Sequence, residues 1–132
     1  MSEPSIETLR ARGIHPSAQR VAVARYVLNT DEHPSAEVVY ERVRVELPTI
    51  SLATVYNTLN LFVDEGLLRS LSLREGRTVF DPCLEPHHHF IDEETGTIVD
   101  VPWDALEVKN VDALGDLEID SYQVVLRGRR RG

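Results

Sequence analysis

A run of three histidines, His87 to His89, contains the side chains of this chain best suited to binding a metal ion. It lies in the segment FDPCLEPHHHFIDEETGTIVD, residues 80–100, between the single cysteine and an acidic turn. Imidazole nitrogens and carboxylate oxygens suit divalent first-row metals such as iron, manganese and zinc. The alternative is a solvated polar hairpin whose histidines do no chemistry.

The segment is predicted to form two strands, and strand geometry decides which histidines act together. Successive side chains of a strand point to opposite faces, so His87 and His89 share one face. His88 then lies on the other face, where we expect a surface residue or a support for the ligands rather than a ligand.

The register of this hairpin brings a carboxylate to the two histidines. If residues 93–96 form the loop, Asp92 pairs with Thr97, and Asp100 lies opposite His89 on the same face. Asp81, before the hairpin, could reach the same point. This coincidence favours a metal site over a polar hairpin.

The first eighty residues carry the start and stop signals of four helices. Ser5, Ser35 and Ser51 are predicted N-caps, whereas Gly13 and Gly66 are predicted stops. Helical spacing of apolar residues predicts which side chains face the core. The expected core residues are Val21, Ala24, Tyr26, Leu28, Val38, Val39, Val43, Leu47, Val55, Leu59 and Phe62.

The third and fourth helices are separated by a short break, which is typical of a helix-turn-helix. Two β-like runs follow, LLRSLSL and TVF, and they are joined by REGR as a hairpin with Gly76 in its turn. Three helices and such a hairpin predict a winged helix. Winged helices that bind protein share this pattern, so it does not by itself identify DNA as the ligand.

The remainder of the chain is predicted to be α+β. After the histidine hairpin, WDALEVKNVDAL (103–114) is predicted to be a helix and SYQVVLRG (121–128) a last strand. The fold class is therefore α+β, with an N-terminal winged-helix DNA-binding domain over residues 1–80. A small C-terminal α/β domain for dimerisation and metal sensing is expected over residues 81–132.

Composition narrows the classes of protein. The single cysteine, Cys83, excludes an intrachain disulfide and a multi-cysteine zinc site within one chain. The chain has neither an apolar run of ~20 residues nor a signal-peptide core, so we expect a soluble cytoplasmic protein and no membrane partner. The net charge is −8, which argues superficially against nucleic acid.

The negative charge is concentrated in the C-terminal part. Residues 1–80 carry nine Arg and ten Asp or Glu, a net charge of −1. Residues 81–132 carry five Lys or Arg and twelve Asp or Glu, a net charge of −7. A basic face therefore remains possible on the N-terminal part.

Four segments resemble, in order, the ferric uptake regulator (Fur) family. They are SAQR (17–20), HPSAEVVYERV (33–43), ISLATVYNTLNLFVDEGLL (50–68) and HHHFIDEETGTIVD (87–100). The resemblance covers nearly the whole chain and is greatest to the peroxide-sensing PerR branch. It implies a homodimeric, metal-dependent regulator, expected to be a repressor of a palindromic DNA operator and not an enzyme.

The resemblance also implies a ligand set. Three histidines and two aspartates hold the regulatory ion of that branch, and they correspond here to His33, Asp81, His87, His89 and Asp100. Aspartate at position 100, where iron-sensing relatives tend to have glutamate, favours peroxide sensing. The resemblance implies that iron-catalysed oxidation of His33 and His87 by peroxide releases the metal and frees the DNA.

The sequence departs from the family at the cysteines that usually hold structural zinc. Asp92 and Thr95 replace a C-x-x-C pair, and the tail LRGRRRG contains no cysteine. We therefore expect no structural four-cysteine zinc site and one divalent ion per subunit, Fe(II) or Mn(II) in function and Zn(II) possible as purified. Packing would then hold the dimer core, with candidates Trp103, Leu106, Val111, Leu114 and Val124.

DNA contacts are expected from the second helix, the start and exposed face of the fourth helix, and the wing. The expected residues are Arg20, Ser51, Ala53, Thr54, Tyr56, Asn57, Arg74 and Arg77. For the two wing arginines, solvated turn charges are an equal alternative.

The sequence is also compatible with two other functions. One is a metal-concentration sensor of the same family, an iron, manganese or zinc uptake regulator. The other is a small non-haem iron oxygenase that uses His87, His89 and Asp100.

Overall fold

The computed structural model describes residues 4–72 and 76–131. It divides the chain into two compact units, Met1–Leu84 and Glu85–Gly132. Asp81 therefore belongs to the first unit. That the two units serve DNA binding and dimerisation respectively stays a prediction.

The first unit is built on four helices, α1 (Pro4–Ala11), α2 (Ala18–Val27), α3 (Ala36–Glu46) and α4 (Leu52–Asp64). The four predicted helices are thus confirmed. No helix of the described residues is long and apolar enough to cross a membrane.

Serine caps begin three of these helices. The side-chain oxygens of Ser17, Ser35 and Ser51 each accept a hydrogen bond from the backbone N–H three residues later. The caps predicted at Ser35 and Ser51 are confirmed. The cap predicted at Ser5 is wrong, because this residue is buried inside α1. The helix begins instead at Pro4, whose fixed φ suits a first helical position.

The core of the first unit is apolar and densely packed. The stripe predicted for α4 is confirmed, because Val55, Leu59 and Phe62 are fully buried, as are Leu9 of α1 and Val23 of α2. Each buried side chain of this size contributes about 1.5–3 kcal/mol through loss of water contact. Three of the expected core residues are instead half-buried at its edge, namely Tyr26, Leu28 and Leu47.

One expected core residue of α3 faces solvent. Val39 and Val43 are buried as predicted, but Val38 is 40% exposed, so the inward prediction for it is wrong. Consecutive helix residues are separated by about 100° around the axis, so Val38 and Val39 cannot both face one core.

The predicted wing is confirmed as an antiparallel pair, β1 (Arg69–Ser72) and β2 (Thr78–Asp81). The loop residues 73–75 lie outside the described residues. The wing is attached to the segment before α3 by a bridge between Ser35 and Val79 and by the Phe80 N–H, which donates to the Pro34 carbonyl at 2.9 Å.

The second unit is built on a three-stranded sheet of β3 (His87–Asp92), β4 (Ile98–Pro102) and β5 (Val125–Gly128). The strand order is β4-β3-β5, with β4 antiparallel and β5 parallel to β3. The predicted hairpin register is confirmed, because Asp100 pairs with His89. The predicted last strand is confirmed over its second half only.

The helix predicted over residues 103–114 is wrong. Two single 3₁₀ turns, Trp103–Ala105 and Val111–Ala113, stand in its place. Asn110 between them has φ +65°, in the left-handed region, which an α-helix cannot continue through. Leu114 is 49% exposed, so within one chain this segment lacks the packed face that normally stabilises a helix.

Candidate metal centre and DNA-reading face

Two histidines and one aspartate meet on one face of the β3–β4 hairpin. Asp100 Oδ1 lies 3.5 Å from His87 Nε2 and 3.6 Å from His89 Nε2. Both imidazoles are buried, whereas the carboxylate side chain is 44% exposed. The ligand atoms that these three residues offer lie within 4.8 Å of one another, close enough for one ion to bind all three.

The imidazole of His87 is oriented by a contact with a nearby backbone carbonyl. Its Nδ1 lies 2.6 Å from the Glu85 carbonyl oxygen. Because a carbonyl only accepts hydrogen bonds, Nδ1 carries a proton, and in the neutral ring the lone pair is then on Nε2. That lone pair belongs to the nitrogen facing Asp100, which is the tautomer that metal-binding histidines commonly have.

His88 lies on the opposite face, and it is buried rather than at the surface. Its side chain is 1% exposed, and its Nδ1 accepts a hydrogen bond from the Val124 N–H at 2.9 Å. Its ring stacks on Trp103 with 4.6 Å between ring centroids, and Trp103 contacts Tyr122. His88 therefore joins β3 to the residue that precedes β5. The expectation of a surface position is wrong. The alternative expectation, that His88 supports the neighbouring candidate ligands, agrees with these contacts.

A second buried pair of candidate ligands lies in the first unit. His33 Nε2 is 3.1 Å from Asp81 Oδ2, and both side chains are less than a tenth exposed. The other carboxylate oxygen of Asp81 accepts from the Cys83 N–H at 2.9 Å. Cys83 itself is exposed.

His33 is held in a costly backbone conformation. Its φ is +54°, in the left-handed region, where a non-glycine residue costs on the order of 1–3 kcal/mol. The contact with Asp81 and the backbone bond from Phe80 to Pro34 fix the segment around it. Backbone strain of this kind clusters at functional sites, which is in keeping with the role expected of His33 as a ligand.

The donor chemistry of both groups fits a divalent first-row metal. The second unit supplies two nitrogens and a carboxylate, and the first unit supplies one nitrogen and a carboxylate. Such mixed N/O sets suit Fe(II), Mn(II) and Zn(II).

The exposed side of α4 presents the residues expected to read DNA. Ser51, Ala53 and Asn57 are exposed, Thr54 is half-buried, and Tyr56 is 39% exposed.

A cleft of about 320 Å³ lies between this side of α4 and the start of α2. Arg20 lines it, and its guanidinium is held by a hydrogen bond to the His15 carbonyl at 3.1 Å. The cleft adds residues that the sequence did not indicate, because only the packing of α2 on α4 brings them to this face. They are His15, Ser17 and Gln19.

A hydrogen bond that the sequence did not indicate joins α3 to α4. The Tyr56 hydroxyl donates to Glu37 Oε1 at 2.6 Å. This bond is the main reason that the pKa of Glu37 lies below its ordinary value, and it raises the pKa of Tyr56. Arg77 of the wing lines a second, separate cleft together with Glu37 and Tyr56, and it further lowers the Glu37 pKa electrostatically. The other expected wing contact, Arg74, lies outside the described residues.

The second unit exposes much of its apolar surface. Among its described residues, only Ile91 is a buried hydrophobic side chain. Of the residues expected to pack in a dimer, Trp103 and Leu114 are exposed, and the other three are half-buried. Further large hydrophobic side chains are exposed nearby in sequence, namely Val108, Leu117, Ile119, Tyr122 and Leu126.

Known proteins match this chain over most of its length. The ferric uptake regulator family matches residues 11–127. The peroxide-responsive repressor PerR of Staphylococcus aureus strain Mu50 is 33% identical over 128 residues, which cover 96% of this chain and 86% of that protein.

Solved structures of regulators share the fold. The Vibrio cholerae ferric uptake regulator superposes with a TM-score of 0.77 at 26% identity, covering 95% of this chain and 98% of that one. A zinc-bound manganese uptake regulator gives a TM-score of 0.71 at 27% identity, covering 98% and 100%.

These relatives are transcription regulators, so the alternative of a non-haem iron oxygenase is wrong and the protein is not an enzyme. The matches extend over most of this chain and most of each relative. The chain belongs to the ferric uptake regulator family of metal-dependent transcription regulators.

Proposed function

We propose that this protein is a cytoplasmic homodimeric repressor that binds a palindromic DNA operator in its metal-bound form and releases it on reaction with hydrogen peroxide. The observation that carries the proposal is the buried His87 and His89 pair facing Asp100, with the His87 Nδ1 bonded to the Glu85 carbonyl so that Nε2 is directed at the site. One divalent ion per subunit would be held by His33, Asp81, His87, His89 and Asp100.

The shared ion is supported by donor chemistry and by the short chain between the two groups. Five residues separate Asp81 from His87, a span of at most roughly 20 Å. An ion bound by donors of both units selects one relative orientation only if it binds that orientation more tightly. A difference of ~2–3 kcal/mol is typical of such coupling.

DNA reading is assigned to the first unit. In a helix-turn-helix, the second helix lies in the major groove, and here that helix is α4. Its proposed contacts are Ser51, Ala53, Thr54, Tyr56 and Asn57. Arg20 and Arg77 would contact phosphates or the minor groove, as would Arg74, which is proposed from the sequence alone.

Dimerisation is assigned to the second unit. Trp103 and Leu114 are exposed in the single chain, and an interface between two copies of this unit would remove them from water. A two-fold homodimer carries two copies of α4, which match the two half-sites of a palindrome.

Peroxide sensing is supported by the similarity to the S. aureus peroxide-responsive repressor. Bound Fe(II) would catalyse cleavage of the O–O bond of hydrogen peroxide. The electrons come from the chain: the ring of His33 or His87 loses two electrons as one ring carbon exchanges its hydrogen for a hydroxyl, and the second peroxide oxygen leaves as water. An oxidised ring is a weaker base, so it no longer holds the ion and the DNA-binding form is lost.

Gel retardation with operator DNA tests the proposal. We expect binding with Mn(II) or Fe(II), loss after chelation, and loss after peroxide in the iron form only. Peptide mass spectrometry should then show one added oxygen on His33 or His87. Asp100→Ala should abolish metal-dependent binding, whereas Asp104→Ala, at an exposed aspartate slightly further along the chain, should not. An iron form that keeps binding DNA after peroxide, with unmodified histidines, would exclude peroxide sensing.

A metal-concentration sensor is the second candidate, favoured by the similarity to the zinc-bound manganese uptake regulator. Asp100→Glu separates the two functions. A peroxide sensor should lose its peroxide response in this variant while keeping metal-dependent DNA binding. Indifference to peroxide in both the parent and the variant indicates metal sensing.

A further inference from the structure

Glu37 lies between the segment that contains His33 and α4, the helix proposed to read DNA. It lies four residues after His33, in the first turn of α3, where a negative charge is favoured by the helix dipole. The segment before this turn is fixed to the wing at three successive residues: His33 to Asp81, Pro34 to Phe80, and Ser35 to Val79.

From that fixed turn, the carboxylate of Glu37 reaches across to α4. It accepts the hydroxyl hydrogen of Tyr56 at 2.6 Å, a short charge-assisted bond. Tyr56 is 39% exposed on the side of α4 that presents the expected DNA contacts. With its hydroxyl fixed at the far end, the ring has one orientation in which to meet a base or a sugar.

We propose that Glu37 is a positioning residue for DNA reading, whose carboxylate sets the orientation of Tyr56 according to the position of the His33 segment. This inference rests on the proposed function, because it assigns the route by which metal binding at His33 reaches the DNA-reading face. Glu37 itself need not touch DNA. Its carboxylate would repel phosphates, so its presence beside this face is better explained by its hold on Tyr56 than by contact with the backbone.

The readout is the metal gain, defined as operator affinity with Mn(II) divided by operator affinity with a chelator. In the full-length homodimer, Glu37→Ala should reduce the metal gain about tenfold, which corresponds to about 1.4 kcal/mol. Tyr56→Phe should cause the same loss because it removes the other half of the bond. The double variant should lose no more than either single variant, since both act through one interaction.

Two further variants test whether the effect of Glu37 comes from its hydrogen bond to Tyr56 or only from the loss of a negative charge on α3. Glu37→Gln should keep most of the metal gain, because its amide oxygen still accepts from Tyr56. Glu41→Ala removes an exposed carboxylate of the same helix that pairs locally with Arg44, and should leave the gain unchanged. Circular dichroism and melting temperature check that each variant is folded, and the glutamine and phenylalanine variants remain decisive if Glu37→Ala does not fold.

A parent-like metal gain in folded Glu37→Ala would overturn the inference, as would equal losses in the alanine and glutamine variants or additive losses in the double variant. These results leave the proposed function intact, because the parent still shows its metal gain. If the parent protein showed no metal gain, that result would exclude both the proposed function and this inference.

Discussion

His33 combines two properties that oppose stability, a buried imidazole and a positive φ. The other candidate ligands are set by ordinary means: the hairpin register places Asp100 opposite His89, and a backbone carbonyl selects the tautomer of His87. Strain is thus concentrated at the one ligand that precedes α3. The proposed role of His33 as a ligand accounts for a histidine at a position where the backbone conformation alone would favour glycine.

Replacing His33 by glycine and by alanine isolates the cost of this backbone conformation. Both substitutions remove the contact with Asp81, but only alanine keeps the penalty for a Cβ in the left-handed region. In metal-free protein, His33→Gly should therefore be more stable than His33→Ala by about 1 kcal/mol, after allowance for the greater entropy that glycine loses on folding. Urea unfolding of both variants measures the difference. A more stable alanine variant would show that His33 is not strained.

At the residue scale, the sequence predicted what strand alternation and register determine. His87, His89 and Asp100 lie on one face because strand side chains have a period of two and the turn length was correctly assigned. The bond between Glu37 and Tyr56 was missed because it joins residues 19 positions apart on different helices. The burial of His88 was missed because its partners, Val124 and Trp103, come from distant segments.

At the scale of elements, the helices of the first unit were predictable and the helix over residues 103–114 was not. Each correct helix has an apolar stripe that packs on another helix of the same unit, and three of them have a serine cap. The segment 103–114 shows a similar spacing of apolar residues, but Asn110 interrupts it and Leu114 has no core to enter within one chain. Periodicity therefore predicts a helix reliably only where a partner surface exists.

The central position of α4 can be tested through Leu59, which is fully buried. Leu59→Ala should lower the free energy of unfolding by about 2–5 kcal/mol, the sum of lost burial and the cavity left behind. Val45→Ala on α3, where the side chain is 82% exposed, should change it by no more than about 0.5 kcal/mol. Urea denaturation followed by circular dichroism measures both. Similar effects in the two variants would mean that α4 is not packed as described.

For the whole molecule, the two units differ in charge and in core. The first unit has an apolar core and a nearly neutral balance of charge, whereas the second carries most of the net negative charge and, among its described residues, a single buried hydrophobic side chain. The family could be predicted from ordered motifs along the chain. Burial in the second unit could not, because in the proposed dimer it would depend on side chains of a second copy.

The proposed dimer leads to the last prediction, the double substitution Leu114→Asp with Leu117→Asp. These side chains are 49% and 63% exposed in the single chain, so aspartate should be tolerated by the monomer fold. In a dimer that covers them, two buried unpaired charges per subunit would prevent association. Light scattering coupled to size-exclusion chromatography should show a shift from dimer to monomer mass. Operator affinity should fall by at least about tenfold, because the half-sites are then bound independently. Val45→Asp, at an exposed position of the first unit, should remain dimeric, and a dimeric double variant would place the subunit interface elsewhere.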